Sequence, residues 1–326
     1  SNSRGGAMVN DKSNPTLVQC SFIGNHGGGA GGAIQNFDSK PNFINCTFTA
    51  NRAPLVFLSA GGGGAICNNG GSPILSNCIF AGNYAYWGGA ISNEGSTPKI
   101  TNSTFHGNSW CAICNWWDAS NPILKNCILW DNGSEILNKL GGSIDISYSD
   151  VNNGWPGLGN IDVDPCFVEP GYWDPNSTPA DANDDFWVDG DYHLRSQGWR
   201  WDTQRQVWTW DDVTSRCIDA GNPGSPLADE RLSVPPDPDN IWGENLRINM
   251  GAYGGTAEAS MPPYNWALLA DLTNDGIVDF IDFAYQAEDW LKTCNEQPGD
   301  LDRSGYVDST DVGLLTNDWL KETIWQ

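Results

Sequence analysis

Two twelve-residue stretches near the end of the chain carry its densest chemistry: DLTNDGIVDFID, Asp271 to Asp282, and DLDRSGYVDSTD, Asp300 to Asp311. Calcium takes about six to eight hard oxygen ligands, and a loop of about twelve residues can supply them from alternate positions, with glycine at the sharp turn. The first stretch offers Asp271, Thr273, Asp275, the Ile277 carbonyl, Asp279 and Asp282, with Gly276 at the turn. The second offers Asp300, Asp302, Ser304, the Tyr306 carbonyl, Asp308 and Asp311, with Gly305 at the turn. Two such oxygen sets predict two bound calcium ions. Thr273 and Ser304 are neutral where a carboxylate or amide would bind more strongly, so both sites are expected to be weaker than the strongest of their kind.

A helical run follows each loop, FAYQAEDWLK (Phe283 to Lys292) and VGLLTNDWLK (Val312 to Lys321). The last ligand position is Asp rather than Glu, and no helical pattern precedes the first loop, which departs from an ordinary EF-hand. A duplicated loop–helix of this size resembles a type I dockerin, and residues 261–326 form its expected extent. The resemblance implies a cohesin-like partner. The residues just before the last ligand would face it: Phe280 and Ile281 in the first half, Ser309 and Thr310 in the second. Only the second pair is small and hydroxylated, so the Phe–Ile pair is expected to face a different partner or to pack on the chain's own body.

What carries these loops is a repeat. GGAMVN, GGAIQN, GGAICN and GGAISN begin at Gly5, Gly31, Gly63 and Gly88, and WCAICN at Trp110 is a decayed copy. Between them recur NPTLVQCSFIGN, KPNFINCTFTAN, SPILSNCIFAGN, TPKITNSTFHGN and NPILKNCILWDN, whose prolines are Pro15, Pro41, Pro73, Pro98 and Pro122. Short alternating apolar runs punctuated by Gly, Asn and Pro predict strands in the coils of a β-solenoid. Equivalent residues should then stack at the strand spacing of about 4.8 Å. Cys20, Cys46, Cys78 and Cys127 are expected to form an interior column with Ser103 at the missing level, packed as small apolar groups rather than bridged. Phe22, Phe48, Phe80 and Phe105, continued by Leu129, form a second column. Asn25, Asn51, Asn83, Asn108 and Asn132 form one amide ladder, and Asn10, Asn36, Asn68, Asn93 and Asn115 another.

From about residue 142 to 260 the repeat fades into an irregular closing region containing GSIDISYSDV, GNIDVDPCFVEP and RINMGAYGGTAEAS. On these motifs residues 1–260 resemble secreted right-handed parallel β-helix proteins of the kind common in planctomycete-like bacteria, most of which lack a defined activity. The resemblance implies that fold and an extracellular or cell-surface location. Cys166 and Cys217, outside the repeat, are the candidate pair for a disulfide, with free thiols the alternative. GWRWDTQRQVWTWDD reads as a hairpin that would stack Trp199, Trp201, Trp208 and Trp210 on one face, a candidate surface for sugar rings. The prolines of SMPPYNWALLA, Ser260 to Ala270, read as a linker.

The net charge of −24 repels phosphate backbones and argues against nucleic-acid partners. No apolar run is long enough to cross a membrane as a helix. The first residues, SNSRGGAMVN, lack the pattern of a signal peptide and begin without Met, as expected of a processed piece. No facing pair of carboxylates marks a hydrolytic centre; within the repeat only Asp118 and Asp131 fall at loosely equivalent positions of adjacent coils. Catalytic residues are therefore not assigned. The first reading is a non-catalytic, calcium-binding β-helix that assembles head-to-tail with other copies through its solenoid ends and its terminal module. The second is a polysaccharide lyase, glycoside hydrolase or carbohydrate-binding module attached to a cohesin scaffold.

Overall fold

The computed structural model describes residues 5–54, 62–117, 119–178, 184–293 and 296–325. Asp118 and Cys294 lie outside the described residues. The chain forms two compact units, Ser1–Asp145 with Glu169–Tyr192, and Ile146–Val168 with His193–Gln326.

The first unit is a parallel β-solenoid. One sheet stacks Met8–Asp11, Ile34–Ser39, Ile66–Gly71, Ile91–Glu94, Ile113–Trp116 and Ile136–Lys139 in register. A second stacks Thr16–Val18, Asn42–Ile44, Ile74–Ser76, Lys99–Thr101 and Ile123–Lys125. A third stacks Ser21–Ile23, Thr47–Thr49, Ile79–Ala81, Thr104–His106 and Ile128–Trp130. Among the described residues the strands of the first coil pair on one side only, and Val9, Val18 and Ile23 are exposed there.

The sequence repeat is the stacking rule of these sheets. Phe22, Phe48, Phe80 and Phe105 stack face to face at 4.9, 4.7 and 4.7 Å, and Phe105 pairs in register with Leu129. The glycine pairs mark where successive coils touch: a Cβ on Gly32 would lie 1.8 Å from the Gly64 carbonyl oxygen, and one on Gly64 would lie 1.9 Å from that of Gly89. Asn25, Asn51, Asn83, Asn108 and Asn132 pass hydrogen bonds from each Nδ2 to the next Oδ1 at 2.8–2.9 Å. The second ladder, Asn10 to Asn115, does the same and runs on to Asn138. These amides satisfy each other inside the solenoid, where an unpaired polar group would cost about 1–3 kcal/mol.

The cysteine column has a specific chemistry. The Cys20, Cys46, Cys78 and Cys127 thiols each donate to the carbonyl two residues back, at 3.3–3.4 Å. Ser103 makes the same bond to the Thr101 carbonyl at 2.9 Å, which is why a hydroxyl can replace a thiol at this level. The residue before each has a left-handed backbone: Gln19, Asn45, Asn77, Asn102 and Asn126 have φ between 45° and 56°. Asn tolerates that conformation best among residues with a side chain, which accounts for the repeated Asn-Cys pair.

The described residues of 169–192 group with the solenoid unit. Tyr172–Asp174 and Phe186–Val188 form an antiparallel hairpin. Trp187 lies against Gly82 and Gly107, where no side chain would fit, and the Gly171 carbonyl lies 3.1 Å from His106 Nε2.

The second unit contains the expected tryptophan hairpin, Arg200–Asp202 with Val207–Thr209. Trp201 and Trp208 meet edge to face at 5.6 Å, Trp199 bridges to Met261 through its backbone, and Trp210 is exposed. Cys166 and Cys217 are not bridged; both are free thiols. The Cys217 thiol donates to Asp150 Oδ2 at 3.2 Å, and that of Cys166 to the Asp164 carbonyl at 3.4 Å. Nor is the proline-rich segment a free linker: Ser260, Met261, Trp266, Ala267 and Ala270 are buried, and the Ser260 hydroxyl donates to the Leu194 carbonyl at 2.6 Å. Two helices follow among the described residues, α1 (Phe280–Glu288) and α2 (Ser309–Asn317).

Candidate metal centre

The two acidic loops fold to the same hydrogen-bond frame. Asp271 accepts from the Asp275 and Gly276 amides at 3.2 and 3.0 Å. Asp300, its counterpart, accepts from the Ser304 and Gly305 amides at 2.9 and 2.8 Å. The last acid closes each loop: Asp282 accepts from the Thr273 and Asp279 amides, and Asp311 from the Leu301, Asp302 and Asp308 amides. Gly276 and Gly305 sit at φ +97° and +91°, where a side chain would strain the backbone.

Asp279 and Asp308 cap α1 and α2, accepting from the Ile281 and Thr310 amides at 2.7 Å. In each helix a capping box joins that Asp to the last acid of the loop. Loop closure and helix start thus share the same carboxylates. Ile277 bridges to Glu322, and the Tyr306 carbonyl accepts from Ser304 Oγ at 3.2 Å.

The donor chemistry suits a hard cation. Carboxylate oxygens of Asp300, Asp302 and Asp311 lie within 4.8 Å of one another. In the first loop Thr273 Oγ1 stands 3.4 Å from Asp271 Oδ1 and 3.2 Å from Asp282 Oδ1. Asp275, the remaining carboxylate of this set, is exposed and accepts from the Ile277 amide. Burial pushes Asp271 up to about 6, although the Arg247 guanidinium pulls the other way, and burial also raises Asp282 and Asp300. Buried carboxylates crowded in this way are stabilised by a cation among them.

Three side chains that the sequence reading did not single out hold the loops. Asn274 and Arg303 occupy the fourth position of their loops, both left-handed at φ 57° and 55°. Asn274 donates to the Gly159 and Ala220 carbonyls at 2.7 and 2.8 Å. Arg303 donates to the Pro223, Ser225 and Leu246 carbonyls at 2.7–3.0 Å. Arg247, fully buried, donates to the Ala220, Gly221 and Asp271 carbonyls. The available signal was scarcity: a chain with 16 basic residues places few arginines inside apolar motifs such as RINMGAYGG.

Of the four residues expected to face a partner, all are exposed: Phe280 by 75%, Ile281 by 52%, and Ser309 and Thr310 with them. Phe280 meets the Trp319 ring edge-on at 4.9 Å. Exposed Phe and Ile at the start of a helix are an apolar surface that water covers poorly.

In the solenoid, burial raises Glu94 and Glu135 to about 7. Glu135 accepts from the Asn132 backbone and side-chain amides at 3.2 and 2.5 Å, so it terminates the first amide ladder. A carboxyl whose folded pKa lies above its ordinary value of 4.5 binds its proton more tightly in the native state. Stability should therefore fall as pH rises from about 4.5 to about 7, by on the order of 3 kcal/mol for this group. Glu135→Gln keeps the acceptor and should flatten that slope; thermal melts of both proteins at the two ends of this range check it, and parallel slopes would contradict it.

Residues 1–128 and, overlapping them, 55–159 match the family described as right handed beta helix region, just under half of the chain. No curated protein and no solved structure matches it.

Proposed function

We propose that this right-handed parallel β-helix protein is a non-catalytic, calcium-binding component of an extracellular assembly, attached through a dockerin-like C-terminal module. The observation that carries the reading is the duplication of one frame. Two loops carry carboxylates at the same first, ninth and twelfth positions in matching hydrogen bonds, each closing directly onto the cap of a helix. Solvated acidic turns have no reason to share that geometry. Calcium, when bound, would be held by Asp271, Thr273, Asp275, Asp282 and the Ile277 carbonyl in the first loop. In the second it would be held by Asp300, Asp302, Ser304, Asp311 and the Tyr306 carbonyl. Asp279 and Asp308 act as caps that hold those ligands in place.

Filling the loops fixes the starts of α1 and α2, and with them Phe280, Ile281, Ser309 and Thr310. The partner is a cohesin-like domain or another copy of this chain. Sedimentation of the full chain with calcium and with chelator separates the cases. Calcium-dependent oligomers point to self-assembly, and a calcium-loaded monomer that captures a cohesin-like domain points to the other partner. A monomer that captures none in calcium contradicts the reading.

A further inference from the structure

A cleft of about 560 Å³ lies between the corner of the solenoid coils and the paired strands Tyr172–Asp174 and Phe186–Val188, away from the acidic loops in sequence and chemistry. Its wall is built from aromatic and planar polar groups. The Arg52 guanidinium lies 5.6 Å from the centre of the Tyr84 ring and 5.4 Å from that of Trp173. It donates to the Asp185 carbonyl at 2.6 Å. Trp173 is tied down by its indole nitrogen, which donates to the Gly107 carbonyl at 2.9 Å, and packs on Trp187 at 5.6 Å. Tyr172 and Asp131 remain exposed at the rim.

We infer that this cleft binds a short neutral oligosaccharide. Sugar rings present apolar C–H faces and a rim of hydroxyls. Fixed aromatic rings cover the first, and the Arg52 guanidinium and the carboxylates of Asp131 and Asp185 hydrogen-bond the second. The volume falls within the range of about 300–1,000 Å³ typical of ligand sites. A polyanionic glycan suits it less, because Asp131 and Asp185 outnumber Arg52 in the cleft and the whole chain carries −24. The rings are also held before any ligand arrives, by the cation–π contacts and by Trp187 seated on Gly82 and Gly107. Such preorganisation lowers the entropy lost on binding.

The test is calorimetric titration of the full chain, in calcium, with β-1,4-linked glucose, xylose and mannose oligosaccharides and with oligogalacturonate. At least one neutral oligosaccharide should bind, and Trp173→Ala should weaken it by roughly tenfold or more. Trp173 is partly packed, so Tyr172→Ala at the exposed rim serves as the second variant and should weaken binding without changing the thermal transition. Trp210→Ala, on the hairpin of the other unit, should leave binding unchanged. No binding of any neutral sugar, binding of oligogalacturonate alone, or neutral binding that survives both cleft variants would overturn the inference.

Discussion

Replacing Arg247 with methionine should destabilise the C-terminal unit by roughly 3–5 kcal/mol, the cost of breaking a buried, fully engaged charged group. The guanidinium is wholly buried and bonds three backbone carbonyls, those of Ala220, Gly221 and Asp271. Burial lowers its pKa, opposed by the nearby carboxylates of Asp271 and Asp219. Methionine can fill much of the volume but donates nothing, so carbonyls shut away from water would lose their partners. Because Asp271 is also the first acid of its loop, the loss should reach the proposed calcium site. The first loop should bind calcium more weakly than in the parent, while the second, tied by Arg303, should keep its affinity. Chemical denaturation and calcium titration of the purified variant check both parts. A variant as stable as the parent would show that the anchor is dispensable.

Chelation should have an effect of similar size. A ligand present at a hundredfold excess over its dissociation constant stabilises the folded state by about 2.7 kcal/mol per site, so two filled loops should contribute about 5 kcal/mol. Without the cations the acids of each loop repel one another, and burial already holds Asp271 and Asp300 above the usual carboxylate range. Chelator should therefore lower the unfolding temperature and fray α1 and α2, whose first turns depend on Asp282 and Asp311. Asp271→Ala and Asp300→Ala should each remove one site and about half of the calcium-dependent stability. A melt unaffected by chelator would contradict the assignment.

The solenoid was legible because each coil repeats the same demand. A phenylalanine, an Asn-Cys corner and a pair of glycines return whenever the chain passes the same level, so the period reveals the stack. Even the exception was informative, since Ser103 makes the hydrogen bond that cysteine makes elsewhere. The acidic loops were legible for a related reason: all their candidate ligands lie within twelve residues, and the sequence states them twice.

The unseen parts rest on contacts that have no period. Asn274 reaches carbonyls 115 and 54 residues earlier in the chain, and nothing local marks it as an anchor. The prolines of residues 260–270 suggested a linker, but proline also suits a fixed irregular path, and burial of Trp266 and Met261 decides between them. Trp187 and the cleft wall depend on a hairpin returning to Gly82 and Gly107, roughly a hundred residues away in sequence. Of the two alternatives for Cys166 and Cys217 the structure has free thiols, and the buried Asp150 carboxyl partners that of Cys217.

Whether the duplicated loops hold calcium can be read from the intact chain. Native mass spectrometry of the intact chain, with Asp271→Ala and Asp300→Ala measured beside it, counts the ions directly. Two calcium ions on the parent and one on each variant are expected; a parent that carries none, or variants that carry as many as the parent, would contradict the assignment.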